Sequence, residues 1–181
     1  MHGVRVVEFG IWVAGPATGA VLADWGADVV KIEPPGGDPQ RGLEGVASAG
    51  GDALPFNPTF DVTNRGKRSI ALDLKSPGGR RVADDLIARA DVLVTNMRLP
   101  ALERLGLDYA TLAAAHPRLV YALMTGYGTE GPDRDKPGYD IGAYWSRAGL
   151  AAALTVPGGT PPFQRGAMGD RTAAAALAGG V

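Results

Sequence analysis

The chain has 181 residues, long enough for one domain with a real core. Hydrophobic residues make up 45% and charged ones 20%, an ordinary globular balance, and a net charge of −1 excludes an overall basic molecule built for nucleic acid. The absence of cysteine excludes disulfides, thiolate metal sites and a cysteine nucleophile.

No apolar stretch reaches the length of a membrane span, and no basic region followed by an apolar core marks a leader peptide. With the missing cysteines, this predicts a cytoplasmic protein with no membrane or nucleic-acid partner. Two histidines, His2 and His116, argue against a zinc site; His116 precedes Pro117 at an expected helix end.

Val4 to Phe9 is a compact apolar run, Pro16 to Trp25 has helical character, and Asp28 to Glu33 is a second apolar run. A strand, turn, helix and strand within about thirty residues predict a parallel β-α-β unit. Residues 34–60 are rich in Gly, Pro and Asp and read as one long loop. Ser69 to Leu74 alternates like a strand. Pro77 opens a helix through Ala90, with Val82, Leu86 and Ile87 expected on its apolar face. Asp91 to Met97 reads as a buried strand and Leu119 to Met124 as a further strand, separated by helices around Ala101 to Leu105 and Tyr109 to Ala115. This alternation predicts an α/β class with a Rossmann-like, doubly wound, mostly parallel sheet. Ile141 to Leu154 reads as one helix. After a Gly/Pro loop, an Ala-rich helix starts near Asp170, and the pattern stops at Val181 as though truncated.

The first turn, Gly10 to Pro16, invites comparison with a dinucleotide fingerprint. Glycines at 10, 15 and 19 have the wrong spacing, so Glu33 reads as a strand-end residue rather than a ribose ligand. Pro16 fits a helix start. Asp170 follows Gly169 at an expected helix N-terminus, where a carboxylate serves as a cap, a nucleophile, or both. Arg65, Lys67 and Arg68 read either as a solvated basic face or as cations for a phosphorylated ligand. Asp38, Arg41 and Asp52 receive no role.

Six segments occur in order: VVEFGIWVAGPATGAVLADWGADVVKIEPPGGDPQR, NRGKRSIALDLKSPGGR, ADVLVTNMRLPALERLGLDYATL, HPRLVYALMTGYGTEGP, PGYDIGAYW and RGAMGD. Together they resemble the N-terminal part of the family III CoA transferases (the CaiB/BaiF type), whose relatives include formyl-CoA transferase and α-methylacyl-CoA racemase. The resemblance implies that residues 1–181 are the N-terminal portion of a Rossmann-like CoA-binding large domain. It implies a homodimer of interlocked subunits at full length, with acyl-CoA and a carboxylic acid as substrates. No cofactor or metal is permanently bound in this picture.

By the resemblance, Asp170 is the catalytic aspartate, passing through aspartyl anhydride and aspartyl-CoA thioester intermediates, with a pKa ordinary or lowered. Trp12, Val13 and Ala14 of the AGP loop hold CoA. Leu72 and Lys75 lie by adenosine, Asn96, Met97 and Arg98 by phosphates and pantetheine, and Arg104 by a CoA phosphate. Tyr139 and Asp140 line the substrate pocket. Tyr144 and Trp145 either line the acyl pocket or pack in the core. Two alternatives stay open: a racemase-like isomerase, disfavoured by tyrosine at 139 where that branch has a histidine, and a catalytically incomplete CoA-binding fragment.

Overall fold

The computed structural model describes residues 1–43 and 56–181; Asp52 lies outside the described residues. Five strands form one all-parallel sheet in the order β3-β2-β1-β4-β5. They are β1 (Arg5–Phe9), β2 (Asp28–Glu33), β3 (Arg68–Ala71), β4 (Val92–Thr95) and β5 (Val120–Leu123). The α-helices are α1 (Ala14–Asp24), α2 (Pro58–Asn64), α3 (Pro77–Ala88), α4 (Leu99–Leu105), α5 (Tyr109–Ala115), α6 (Leu150–Leu154) and α7 (Met168–Gly179).

Alternation along the central strands divides the core into two layers. Val7, Phe9 and Leu93 face Ala83 and Ile87 of α3, Leu102 of α4 and Leu112 of α5. Val6, Val92 and Val94 face Leu22 of α1 and Ala178 of α7. Each fully buried Leu or Ile contributes about 1.5–3 kcal/mol relative to exposure, so these two layers hold the helices to the sheet. The expected doubly wound sheet is therefore present, with β1 and β4 adjacent where the strand order reverses.

Several local expectations are corrected. Residues 34–60 are not one loop: Asp38 caps a 3-10 turn at Pro39–Gly42, and Asn57 caps α2 by accepting from the Phe60 amide. The apolar face of α3 is Ala83 and Ile87 with Leu86 and Ala90; Val82 is 39% exposed. Ala83 and Ile87, an i, i+4 pair on one azimuth, are the helix's buried residues, and Val82 and Leu86 form the flanking row, of which only Leu86 reaches the core layer. Pro16 is the third residue of α1 rather than its first. The basic cluster is not one solvated face, because Lys67 is buried, while Arg65 and Arg68 pair at the surface with Asp24 and Asp28.

The predicted helix over 141–154 is two pieces. Ile141–Arg147 is π-helical, and Gly149, at φ +87°, separates it from α6. The wide turn is visible in Ala148 N–H donating to the Ala143 carbonyl and Ser146 Oγ donating to the Ile141 carbonyl. Short π segments of this kind recur at functional sites.

Candidate active site

A cleft of about 720 Å³ opens above the carboxyl ends of β1, β4 and β5. In open α/β sheets this reversal point is where chain ends splay apart and leave a crevice for ligands. Three backbone segments build its floor: Ile11–Ala14 after β1, Asn96–Leu99 after β4, and Met124–Gly126 after β5. Its far wall comes from Tyr139, Asp140 and Tyr144 and from Gly169 and Asp170 at the start of α7.

The β1 turn is tied to its neighbour by one side chain. Asn96 Oδ1 accepts from the Ile11 amide at 3.0 Å, and its Nδ2 donates to the Ile11 carbonyl at 2.9 Å. Trp12 follows at φ +62°, a left-handed conformation that a bulky residue adopts only when its surroundings impose it. The amino end of α1 then points into the cleft, with no side chain capping it at Val13.

Asp170 lies in the first turn of α7, three residues inside the cap position, and Ala167 at φ +60° occupies that cap without a side-chain bond. Asp170 is thus not the helix cap; its carboxyl is left to the cleft and to the helix dipole. A glycine at 169 makes this placement possible, since a Cβ there would meet Tyr144 Cβ at 2.5 Å. Close contact between α7 and the π-helical segment therefore fixes how far Asp170 stands from Tyr139 and Asp140.

The expectation of an ordinary or lowered pKa for Asp170 is overturned. Partial burial, followed by the nearby Asp140 charge, pushes its carboxyl up to about 6, against a small opposing effect of Arg171. Asp140 contributes a buried Oδ2 with no hydrogen-bond partner among the described residues. Two carboxyls thus share one wall of the cleft. Cations stand around the same opening: Arg98, Arg134 and Lys136 all line it. Arg134 is engaged by Glu103 and Asp135, and Lys136 by Asp133.

Of the residues singled out from the sequence, Trp12, Val13, Ala14, Asn96, Met97, Arg98, Tyr139, Asp140 and Asp170 line this one cleft. Leu72, Lys75 and Arg104 do not. Leu72 follows β3, donates to the Glu33 carbonyl and packs on the core layer of α3; Lys75 and Arg104 are solvent-exposed. The aromatic pair divides: Tyr144 lines the cleft, whereas Trp145 is buried and donates from its indole to the Pro162 carbonyl at 3.0 Å. Arg134, Lys136 and the Met124–Gly126 segment also line the cleft without a signal in the sequence; the cations sit in a Gly/Pro/Asp-rich stretch whose path no periodicity reveals.

The sequence model of CoA-transferase family III matches residues 1–181. The chain is 42% identical to cinnamoyl-CoA:phenyllactate CoA-transferase of Clostridium sporogenes, over 99% of this chain and 43% of that protein. It is 37% identical to (R)-2-hydroxy-4-methylpentanoate CoA-transferase of Clostridioides difficile, over 99% of this chain and 45% of that protein. A single-residue mutant of Rv3272 from Mycobacterium tuberculosis superposes with a TM-score of 0.86 at 34% identity, covering 99% of this chain and 47% of that one. A CAIB/BAIF family protein from Brucella suis superposes with a TM-score of 0.83, also at 34% identity, covering 97% of this chain and 48% of that one. The chain thus spans somewhat under half the length of these relatives.

Proposed function

The chain belongs to CoA-transferase family III, and from that membership we propose that its cleft serves to move CoA from an acyl-CoA donor to a carboxylic acid acceptor, with Asp170 as the carrier. The observation that supports this most is the position of Asp170: a carboxyl without a cap to make, half-buried in a cleft of ligand size, opposite the turn that resembles a CoA loop. Several relatives are named as CoA-transferases acting on carboxylic acids, among them succinate–glutarate CoA-transferase of Agrobacterium fabrum.

In this reading an Asp170 oxygen attacks the donor thioester carbonyl, the C–S bond breaks, and CoA leaves as thiolate from a mixed anhydride. The thiolate then attacks the Asp170 carbonyl carbon and expels the donor acid, leaving an aspartyl-CoA thioester. The acceptor carboxylate displaces CoA to form a second anhydride. The thiolate takes the acyl group from it, and the Asp170 carboxylate is restored. Each step exchanges one activated carboxyl for another, so the cycle closes without net hydrolysis. Trp12, Val13 and Ala14, with Asn96, Met97 and Arg98, hold CoA; Leu72, Lys75 and Arg104 reach its adenosine and phosphate end from outside the cleft. Tyr139 and Asp140 border the acyl group. Residues 1–181 act as one CoA-binding unit of a cytoplasmic homodimer.

A second reading is supported by length. In that reading the chain is a catalytically incomplete CoA-binding fragment, in keeping with its spanning under half the length of these relatives. The racemase-like alternative has less support, because Tyr139 stands where a histidine base is required and no histidine lines the cleft among the described residues. Incubation with a panel of acyl-CoA esters and isotopically labelled carboxylic acids tests the first reading. It predicts label appearing in new acyl-CoA, and its loss in Asp170→Ala. CoA binding without exchange supports the second reading, and unchanged exchange in Asp170→Ala contradicts the assigned role.

A further inference from the structure

Beneath the turn at 10–16 lies a buried ionic network that the proposed chemistry does not use. Glu8 of β1 and Lys31 of β2 are partners in the parallel ladder, so both side chains emerge on the α1 face of the sheet. Lys31 Nζ donates to Glu8 Oε1 at 3.0 Å and to the Gly10 carbonyl at 2.8 Å, and lies 2.9 Å from Asp38 Oδ2. Lys67 Nζ donates to the carbonyls of Pro16 (2.7 Å) and Thr63 (2.8 Å) and to Asn64 Oδ1 (3.1 Å). It also stands 2.6 Å from Glu8 Oε2, the shortest ionic contact of the network. All four side chains are at most 2% exposed, and two ammonium groups face two carboxylates.

The network grips the turn at both ends, through the Gly10 and Pro16 carbonyls. Its middle is held by Asp38, whose Oδ1 accepts from the Trp12 amide at 3.0 Å and from the Gln40 amide at 2.9 Å. Asp38 is in turn fixed, its own amide donating to Glu33 Oε2, while Arg41 binds both Glu33 oxygens at 2.8 and 2.7 Å. Trp12 is the residue in left-handed conformation, and its neighbour Ile11 is pinned from the opposite side by Asn96. A left-handed tryptophan keeps its conformation only while such anchors persist.

We propose that Asp38 is a positioning residue for CoA binding, its buried carboxylate, held by Lys31, fixing the Trp12 amide so that residues 12–14 present a preformed edge to the cleft. This rests on the reading of that turn as the CoA loop. Pre-ordering the turn removes an ordering cost that binding would otherwise carry, so the effect falls on affinity. It depends on the Asp38 oxygen that accepts from the Trp12 amide, not on the overall stability that the charge pairing supplies.

Two substitutions separate these contributions. Asp38→Asn keeps a carbonyl oxygen for the Trp12 amide but leaves Lys31 short of one counter-charge; Asp38→Ala removes both. Hydrogen exchange followed by mass spectrometry reads the amides of residues 11–13, titration calorimetry reads CoA affinity, and thermal melting reads stability. Asp38→Asn is expected to melt lower than wild type, yet to keep Trp12 protected and CoA affinity within about threefold, because a buried hydrogen bond survives. Asp38→Ala is expected to lose that protection and to bind CoA about tenfold more weakly or worse.

Trp12 exchange unchanged in Asp38→Ala, or CoA affinity unchanged in a folded Asp38→Ala, overturns the positioning role while leaving the CoA reading intact. If Asp38→Ala does not fold, a folded Asp38→Asn that loses Trp12 protection overturns it equally. Affinities of both variants that simply follow their melting temperatures assign the network to stability alone. A wild-type chain with no CoA binding removes the ligand assignment, and the positioning role with it.

Discussion

A carboxylate that must attack a thioester works only when ionised, and Asp170 has an environment that resists ionisation. Burial and the Asp140 charge raise its pKa to about 6, so the anion predominates at neutral pH but not far below it. Desolvation of this kind leaves a carboxylate poorly stabilised and hence a better nucleophile than one paired with a cation. The sign follows directly: the rate of covalent labelling of Asp170 by acyl-CoA rises about tenfold per pH unit below 6 and levels off above about 7. Removing the neighbouring negative charge lowers the Asp170 pKa, so Asp140→Asn moves that midpoint to lower pH. Single-turnover rates between pH 4.5 and 8 check both; a midpoint unchanged in Asp140→Asn contradicts the coupling. Asp170 itself was legible because Gly-Asp precedes an Ala-rich helix within a segment resembling one family. Its raised pKa was not, since partial burial and the approach of Asp140 depend on chain segments thirty residues apart.

At the level of elements, the sequence exposes what is local and hides what is not. β2 falls where the apolar run predicts because VVKIE has no competing pattern, and α5 falls where predicted between Asp108, which caps it, and His116. α2 went unread because PTFDVTN carries no helical apolar stripe; it is fixed by the Asn57 cap and by Gln40, which bonds Thr63 and the Thr59 carbonyl. Lys31 is a single polar residue within an apolar run, and only its pairing with Glu8 across the sheet reveals the ion network. The π-helical segment depends on a 5-residue backbone spacing that side-chain periodicity does not report. Its contact with α7 makes a sharp test. In Gly169→Ala the new methyl must displace Tyr144, at an overpacking cost of about 1–3 kcal/mol. The expected result is a lower melting temperature together with loss of Asp170 labelling, because both cleft walls shift. Unchanged labelling at wild-type stability contradicts the account of how α7 is placed.

For the whole molecule, one parallel sheet accounts for the cleft. Reversal of strand order at β1 and β4 opens it, the two core layers hold the helices to the sheet beneath it, and the buried ion network binds the carbonyls at both ends of the first turn. Family membership extends over all 181 residues, whereas the relatives continue for about as long again. The proposed role of Asp170 requires that it form a covalent intermediate with an acyl-CoA. The direct measurement is to mix the protein with acyl-CoA, quench with hydroxylamine, and read the peptide containing Asp170 by mass spectrometry. The expected result is a hydroxamate on Asp170 that requires acyl-CoA and falls away below pH 6. Trapping at any other carboxylate, with Asp170 unmodified, would contradict it.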